Sequence, residues 1–313
     1  MRIVFMGTPD FALKSLRALC DSGHDIAGVF TQPDKPKGRG RRVAPGPVKQ
    51  FAAERGLPVF QPATLRDGRA FETLSEIEPE LIAAVAYGKL LPPDILSLPP
   101  RGCVNIHGSL LPKYRGAAPV QRAIMGGERT TGVTSMFMAP ELDAGDVILS
   151  AQTEIADGET FGELYDRLGD MGAELLCETV GLIAAGKARG APQDHSLASF
   201  APPISKDDEM IEWSAPRDAI IRKIRALNPS PAAAAVLGDV RFKIFEARPA
   251  HNGARGGAPG EAVAADGGVE VMCGDGPIVI TQLQAPGGAR MSARDYLRGH
   301  PLPSSGSRAG ARP

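Results

Sequence analysis

The sequence has few cysteines and no cysteine pattern. Its 313 residues include four cysteines, at positions 20, 103, 177 and 273, and none of them forms a C-x-x-C pair. Structural zinc sites and disulfide-rich domains both depend on closely spaced cysteines. We therefore expect no metal site and no disulfide framework, which fits a protein of a reducing compartment.

The sequence also lacks an excess of either charge. It contains 35 basic and 36 acidic residues, for a net charge of −1. A protein that binds nucleic acid usually carries a basic surface. Overall charge gives no such indication here, so any argument for nucleic-acid binding must rest on a local cluster.

No hydrophobic run is long enough to cross a membrane, which takes roughly 20 apolar residues. The apolar stretch ELIAAVAYGKLL is interrupted by Gly88 and Lys89, and the run from Ile3 to Met6 is too short for a signal peptide. We therefore expect a cytoplasmic protein with no membrane contact.

A dinucleotide fingerprint is missing as well. The turn GTPDF, residues 7–11, follows the first predicted strand but lacks the G-x-G-x-x-G glycines. Those glycines let a helix N-terminus approach a pyrophosphate closely. Their absence counts against a dinucleotide-dependent oxidoreductase.

The N-terminal half instead has the pattern of an α/β fold. Apolar spacing predicts a strand at 2–7, an amphipathic helix at 11–23 and a second strand at 24–30. The apolar segment 80–88 is typical of a strand that is buried on both faces. This β-α-β order predicts a doubly wound, Rossmann-like sheet.

The length and a change of pattern predict two domains. We expect a catalytic domain over residues 1–190 and a linker over 191–209. Short strand-like runs separated by turns fill residues 210–302, which is typical of a small barrel or sandwich. We expect the tail, residues 303–313, to be disordered.

One short predicted strand carries two polar residues on the same side. In CVNIH, Val104 and Ile106 alternate with Asn105 and His107, and Gly108 follows. Ligands of open α/β sheets bind at the carboxyl ends of the strands. An amide beside an imidazole there is suited to stabilise an oxyanion, whereas a satisfied histidine at a strand end is the ordinary structural interpretation.

A carboxylate is the third candidate. Asp143 and Asp146 both lie in the turn PELDAGD, and their spacing does not decide between them. Aspartate in a turn is usually turn chemistry. A carboxylate close to His107 would, however, orient the imidazole and favour its charged form.

A basic stretch runs from Thr31 to Lys49. It combines prolines and glycines with six basic residues and one acid, Asp34. This composition predicts an exposed, mobile loop without secondary structure. Its charge fits either a solvated linker or a contact with a phosphate backbone, and composition leaves both open.

Taken in order, several segments resemble the methionyl-tRNA formyltransferase family over nearly the whole chain. The wider formyltetrahydrofolate-dependent superfamily shares only Asn-x-His, the SLLP that follows and the later aspartate. The basic stretch and the second domain are similar to the tRNA enzyme within it. The matching segments are GTPDFA, TQPDKPKGRGRR, AYGKLLP, NIHGSLLPKYRGAAPVQRAI, ELDAGDV, SKDDEMIEW and MSARDYLRGH.

The resemblance implies roles for individual residues. It implies that Asn105, His107 and Asp143 are catalytic, and it is the family pattern that selects Asp143 over Asp146. It implies that the SLLP and AYG segments line the folate site, through Ser109, Leu110, Leu111, Pro112, Tyr87 and Gly88. It implies tRNA contacts at Lys37, Arg39, Arg41, Arg42 and Lys206, and an OB-like C-terminal barrel that faces the tRNA.

The implied reaction is transfer of a formyl group from 10-formyltetrahydrofolate to the amine of methionyl initiator tRNA, by a monomer that needs no metal. The nearest alternative is a formyltransferase of the same superfamily that acts on a nucleotide or sugar-nucleotide amine. A catalytically inactive RNA-binding protein is a further alternative. The intact Asn105, His107 and Asp143 argue against the last of these.

Overall fold

The structure is a computed structural model that describes residues 1–37, 42–250 and 257–300. The chain forms two compact units. The second unit takes in two segments that the sequence analysis assigned to the catalytic domain. The first unit comprises Met1–Pro119, Thr130–Glu154 and Tyr165–Pro202, and the second comprises Val120–Arg129, Ile155–Leu164 and the described residues from Pro203 onward.

The first unit is built on a mixed sheet. Its strands are β1 (Arg2–Gly7), β2 (Asp25–Phe30), β3 (Lys35–Lys37), β4 (Arg42–Ala44), β5 (Val59–Phe60), β6 (Leu81–Val85), β7 (Cys103–His107), β8 (Thr130–Phe137) and β9 (Val147–Glu154). Seven of them pair in the order β5-β2-β1-β6-β7-β8-β9. The strands from β5 to β7 are parallel, which confirms the Rossmann-like prediction, whereas β8 and β9 are antiparallel.

The central strands are buried because both faces of the sheet are covered. Every residue of β6 is buried, and β1 is buried from Ile3 to Gly7, with only its first residue, Arg2, exposed. Apolar side chains on both sides of a strand are what a parallel central strand requires. The next strand, β7, lies between β6 and β8 and carries the polar pair predicted from the sequence.

Helices connect and cover these strands. They are α1 (Asp10–Asp21), α2 (Pro47–Glu54), α3 (Arg69–Ile77), α4 (Pro93–Leu96) and α6 (Phe161–Ala184), whereas α5 (Pro119–Gly126) belongs, from Val120 onward, to the second unit. Helices α3 and α4 were not predicted from the sequence. At the start of α6, the Thr160 N–H and hydroxyl both donate to Glu163 Oε2, at 2.9 and 2.7 Å. This pairing of a cap residue with a glutamate three residues on is a capping box.

The prediction of a loop without secondary structure from Thr31 to Lys49 is wrong. Strands β3 and β4 pair antiparallel, with Lys37 opposite Arg42. A two-stranded ribbon satisfies backbone hydrogen bonds without a buried face, so a basic, polar composition does not prevent it. Residues 38–41 lie outside the described residues.

Besides α5, the described part of the second unit contains an antiparallel sheet and three further helices. Its elements are α7 (Lys206–Glu209), α8 (Arg217–Ala226), β10 (Ala233–Leu237), β11 (Val240–Pro249), β12 (Ala262–Ala265), β13 (Gly268–Met272), β14 (Pro277–Gln284), β15 (Met291–Ser292) and α9 (Ala293–Gly299). The strand order is β10-β11-β14-β13-β12, with β15 beside β14. This sheet confirms the small β domain, and closure into a barrel stays a prediction.

The core of the second unit lies between this sheet and α8. Ile220 and Ile224 of α8 are fully buried, together with Trp213, Phe242 and Ile280. Ile220 and Ile224 therefore form the face of α8 that packs in this core. Within residues 1–37, 42–250 and 257–300, no helix is both long and apolar enough to span a bilayer.

Candidate active site

Asn105 and His107 lie at the carboxyl end of β7, as the strand pattern predicts. Val104 and Ile106 are buried in the core, Asn105 is half-buried and His107 is 5% exposed. Among the residues that the structure describes, nothing hydrogen-bonds to the Asn105 carboxamide. Its two N–H donors are therefore available to a ligand.

A backbone carbonyl fixes one nitrogen of the His107 ring. Nε2 of His107 lies 2.8 Å from the carbonyl oxygen of Tyr114. A carbonyl oxygen only accepts, so Nε2 carries a hydrogen and donates it. The other nitrogen, Nδ1, is left to face the acidic member of the site.

That acidic residue is Asp143. Its Oδ2 lies 3.6 Å from His107 Nδ1, and its side chain is 11% exposed. The same oxygen accepts a hydrogen bond of 2.8 Å from the Gly116 N–H. Asp146, the alternative in the same turn, is exposed. The fold thus brings His107 together with Asp143 and leaves Asp146 outside.

The SLLP segment is fixed by a hydroxyl that the sequence analysis missed. Thr134 Oγ1 donates to the Ser109 carbonyl at 2.7 Å and accepts from the Leu111 N–H at 3.2 Å. Ser109 is buried, and its own hydroxyl donates to the Lys113 carbonyl at 2.6 Å. Because Thr134 pairs with His107 across two strands, this contact depends on sheet register, which the sequence alone does not reveal.

The Tyr87 side chain of the AYG segment is buried, whereas the residues on either side of it are exposed. The Tyr87 ring is buried in the core, its hydroxyl has no hydrogen-bond partner among the described residues, and burial raises the pKa of Tyr87 to about 12. The flanking Ala86 and Gly88 are exposed and have positive φ angles of 46° and 77°. The Tyr87 carbonyl accepts from Gln32 Nε2 at 3.0 Å, which anchors the segment.

The predicted basic contacts fall in two places. Arg39 and Arg41 lie outside the described residues, whereas Lys37 and Arg42 pair through their backbones in the β3–β4 ribbon. Lys206, at the start of α7 in the second unit, is 86% exposed, and its Nζ lies 2.8 Å from Glu209 Oε1.

Potential metal ligands do not cluster within the residues that the structure describes. In the described part of the chain, no three histidine, cysteine, aspartate or glutamate residues are arranged to hold a metal ion. The acidic and imidazole groups of the site are the pair already described, His107 and Asp143. A pair of this kind is suited to charge stabilisation and to proton transfer.

Solved structures share this fold. HypX from Aquifex aeolicus, in complex with tetrahydrofolic acid, matches with a TM-score of 0.64 at 21% identity over 95% of this chain and 47% of HypX. The chain thus spans about half the length of HypX. An N-formyltransferase from Helicobacter canadensis, in complex with folinic acid and dTDP-3-aminofucose, matches with a TM-score of 0.68 at 17% identity, over 89% and 98% of the two chains.

Sequence comparison gives matches over nearly the whole chain. Residues 1–180 match the family model described as formyl transferase, and residues 203–301 match that described as formyl transferase, C-terminal domain. Methionyl-tRNA formyltransferase of Moorella thermoacetica is 49% identical, over 96% of this chain and 97% of the relative. That of Methylococcus capsulatus is 46% identical, over 99% and 100%. The chain therefore belongs to the methionyl-tRNA formyltransferase family.

Proposed function

We propose that this enzyme transfers a formyl group from 10-formyltetrahydrofolate to the α-amino group of methionyl initiator tRNA. The observation that carries this proposal is the meeting of His107 with Asp143 beside the free amide of Asn105 on one strand end. Relatives named for this activity match both units of the chain.

The first step is attack of the neutral amine on the formyl carbon, which creates a tetrahedral oxyanion. Asn105 is positioned to donate a hydrogen bond to this oxygen, because its amide has no partner among the described residues. An amide donor that is aimed at the position of the oxyanion stabilises the developing charge more than it stabilises the substrate carbonyl.

His107 and Asp143 are proposed to stabilise charge and to transfer a proton. Nε2 of His107 is occupied by Tyr114, and Nδ1, at 3.6 Å from Asp143, forms no hydrogen bond with it. Protonated Nδ1 is thus the nitrogen that donates to the oxyanion, while the nearby carboxylate stabilises the imidazolium. Contacts of this kind often shorten when substrate binds.

The remaining step is collapse of the intermediate. The C–N10 bond breaks, the new C–N bond to methionine stays, and one proton moves in total from the amine to N10. Asp143 accepts the proton of the amine, directly or through a water, and then donates it to N10, the leaving nitrogen. The products are N-formylmethionyl-tRNA and tetrahydrofolate.

The folate is proposed to lie along the SLLP and AYG segments. Their backbones are held by Thr134 and by Gln32, so their carbonyl and N–H groups are already fixed before a ligand arrives. Fixed backbone groups suit the flat, polar edge of a pterin. We assign Ser109, Leu110, Leu111, Pro112, Tyr87 and Gly88 to this site.

The tRNA is proposed to contact the basic ribbon and the second unit. The ribbon places Lys37 directly opposite Arg42 in its backbone register, and Arg39 and Arg41 lie between them in sequence. Basic residues on adjacent strands are suited to successive phosphates. Lys206, exposed on α7, is assigned to the same substrate.

One chain carries every residue assigned to this reaction, so a monomer is sufficient. The proposed substrates are those of translation initiation, and the proposed location is accordingly the cytoplasm. Neither statement requires a membrane or a second protein.

The test is a panel of formyl acceptors with 10-formyltetrahydrofolate as donor. It comprises methionyl initiator tRNA, methionyl elongator tRNA, uncharged initiator tRNA, glycinamide ribonucleotide and a dTDP-aminosugar. We expect formyl transfer with charged initiator tRNA and none with uncharged tRNA or the nucleotides. Transfer to a nucleotide amine in place of the tRNA would overturn the proposal in favour of the alternative substrate class.

A further inference from the structure

Asp143 has a backbone conformation that few residues adopt. Its φ angle is +50°, in the left-handed region. The Cβ of an L-residue then crowds the neighbouring backbone, so such residues persist only where the surroundings hold them. Specific contacts must therefore keep Asp143 in the turn that presents its carboxylate to His107.

The amide of Gln193 supplies two of these contacts. Its Nε2 donates to the carbonyl oxygen of Asp143 at 2.9 Å and to that of Gly145 at 2.7 Å. Gln193 is 7% exposed, so water does not replace these bonds readily. One buried amide nitrogen thus ties together two carbonyls of the catalytic turn.

Arg115 determines which way round the Gln193 amide lies. Its Nε and Nη2 donate to Gln193 Oε1 at 3.2 and 2.7 Å. A guanidinium has only donors, so the amide oxygen must face Arg115 and the amide nitrogen must face the turn. Arg115 is itself 5% exposed, and its Nη1 lies 3.3 Å from His195 Nδ1.

Arg115 also lies between two other supports of the site. The carbonyl oxygen of the preceding residue, Tyr114, accepts a hydrogen bond from the His107 ring. The N–H of the following residue, Gly116, donates a hydrogen bond to the Asp143 carboxylate. Three consecutive residues therefore set both sides of the 3.6 Å gap between imidazole and carboxylate.

We propose that Gln193 is a positioning residue for the formyl transfer. Its amide, oriented by Arg115, holds the Asp143 turn so that the carboxylate meets His107. This inference rests on the proposed function, and Gln193 acts only through Asp143. It lies in the stretch 181–202, which neither family model matches.

The test begins with Gln193→Glu in the full-length enzyme. Glutamate has the size of glutamine and keeps an oxygen for Arg115, but it replaces the donating nitrogen with an oxygen that repels both carbonyls of the turn. We expect kcat to fall about 10- to 100-fold, the effect of a small displacement of a catalytic group. The KM values for folate and for charged tRNA should not change.

Two further variants keep this result interpretable. Gln152→Glu makes the same chemical change at an exposed position on β9 and should have wild-type kinetics. If Gln193→Glu does not fold, Gln193→Leu removes the same two donors without adding a charge, and the same loss of kcat is expected. Wild-type kcat in a folded Gln193 variant would overturn the proposal.

A double-mutant cycle separates positioning from general damage. In an Asp143→Asn background, measured under single-turnover conditions, Gln193→Glu should lower the rate by less than about twofold, because residues that act as a unit are not additive. A further loss as large as in the wild-type background would overturn the positioning role. Wild-type turnover of Asp143→Asn itself would instead overturn the role proposed for that carboxylate.

Discussion

The carbonyl oxygen of Tyr114 accepts a hydrogen bond from Nε2 of His107 across 2.8 Å. Tyr114 has a φ angle of +60°, which is unusual for a bulky residue and turns its carbonyl toward the ring. The ring cannot rotate without losing this bond. His107 therefore presents Nδ1, and only Nδ1, to Asp143 and to a substrate.

Replacing His107 tests this assignment. His107→Ala should lower kcat by roughly 10²–10⁴, the usual contribution of a positioned acid or oxyanion partner. His300→Ala removes an imidazole at the end of α9, outside the proposed site, and should have wild-type turnover. Circular dichroism checks the fold of both variants. Near wild-type turnover of folded His107→Ala would remove this residue from the catalytic group.

The same substitution at the two aspartates of the turn tests which of them takes part in catalysis. Asp143→Asn should reduce kcat strongly, because a neutral amide no longer stabilises the imidazolium or accepts the amine proton. Asp146→Asn removes the same charge three residues away, at an exposed position, and should have a much smaller effect. Initial rates with saturating folate and tRNA measure both. The opposite ranking would show that the wrong carboxylate has been assigned.

Thr134 provides a test of the folate site. Thr134→Val keeps the shape of the side chain but removes the hydroxyl that binds Ser109 and Leu111. We expect folate to bind about tenfold more weakly, corresponding to about 1.4 kcal/mol, as measured by calorimetry without tRNA. Thr131→Val, on the same strand, is the control. Equal effects of the two variants would indicate a general loss of stability.

Local pattern was sufficient for much of the fold. The β1–α1–β2 order, the buried strand β6 and the polar pair on β7 each follow from apolar spacing within one segment. Strand β10 was missed because Ala233 to Leu237 is mostly alanine, which has little intrinsic preference for strands. The β3–β4 ribbon was missed because the pairing of its two short strands leaves no apolar period in this basic stretch.

The candidate site was predictable only in part. The sequence placed Asn105 and His107 on one side of a strand, but it did not choose between Asp143 and Asp146. That choice depends on the backbone of the turn, which three-dimensional contacts hold at a positive φ. Thr134 and Gln193 meet the site through long-range contacts, and neither has a local sequence signal.

Acid stability of the second unit provides a separate prediction. Arg122 donates to both oxygens of Asp208, at 2.9 and 2.8 Å, and these bonds, with those from Ser205, hold the pKa of Asp208 well below its ordinary value of 3.8. A lowered folded-state pKa contributes stability that is present above pH 3.8 and is lost as pH falls below it.

Asp208→Asn should therefore destabilise the second unit by about 1–3 kcal/mol at neutral pH, the size of hydrogen bonds to charged groups. The difference from wild type should shrink when thermal unfolding is repeated below the ordinary pKa of the aspartate. Asp218→Asn removes a charge from an exposed position on α8 and should have little effect at either pH. A destabilisation by Asp208→Asn that did not depend on pH would contradict the ion-pair explanation.

The last prediction concerns the basic stretch that contains the ribbon. If its charges contact tRNA phosphates, the affinity for tRNA must depend on the salt concentration. Each phosphate contact releases counterions, so losing one contact lowers the slope of log K against log salt by roughly one unit. Arg41→Ala and Arg42→Ala should each weaken tRNA binding and flatten this slope, while folate affinity stays unchanged. Arg39→Ala should raise the KM for charged tRNA or lower kcat with it.

The measurement is a salt titration of tRNA binding for each variant, alongside formylation rates with initiator and elongator tRNA. Arg189→Ala removes an exposed arginine elsewhere in the first unit and serves as the control. Its slope and rates should match those of the wild type. If all three arginine variants also matched the wild type, the basic stretch would be a solvated surface, and the tRNA contacts would have to lie in the second unit, where Lys206 is the first residue to replace.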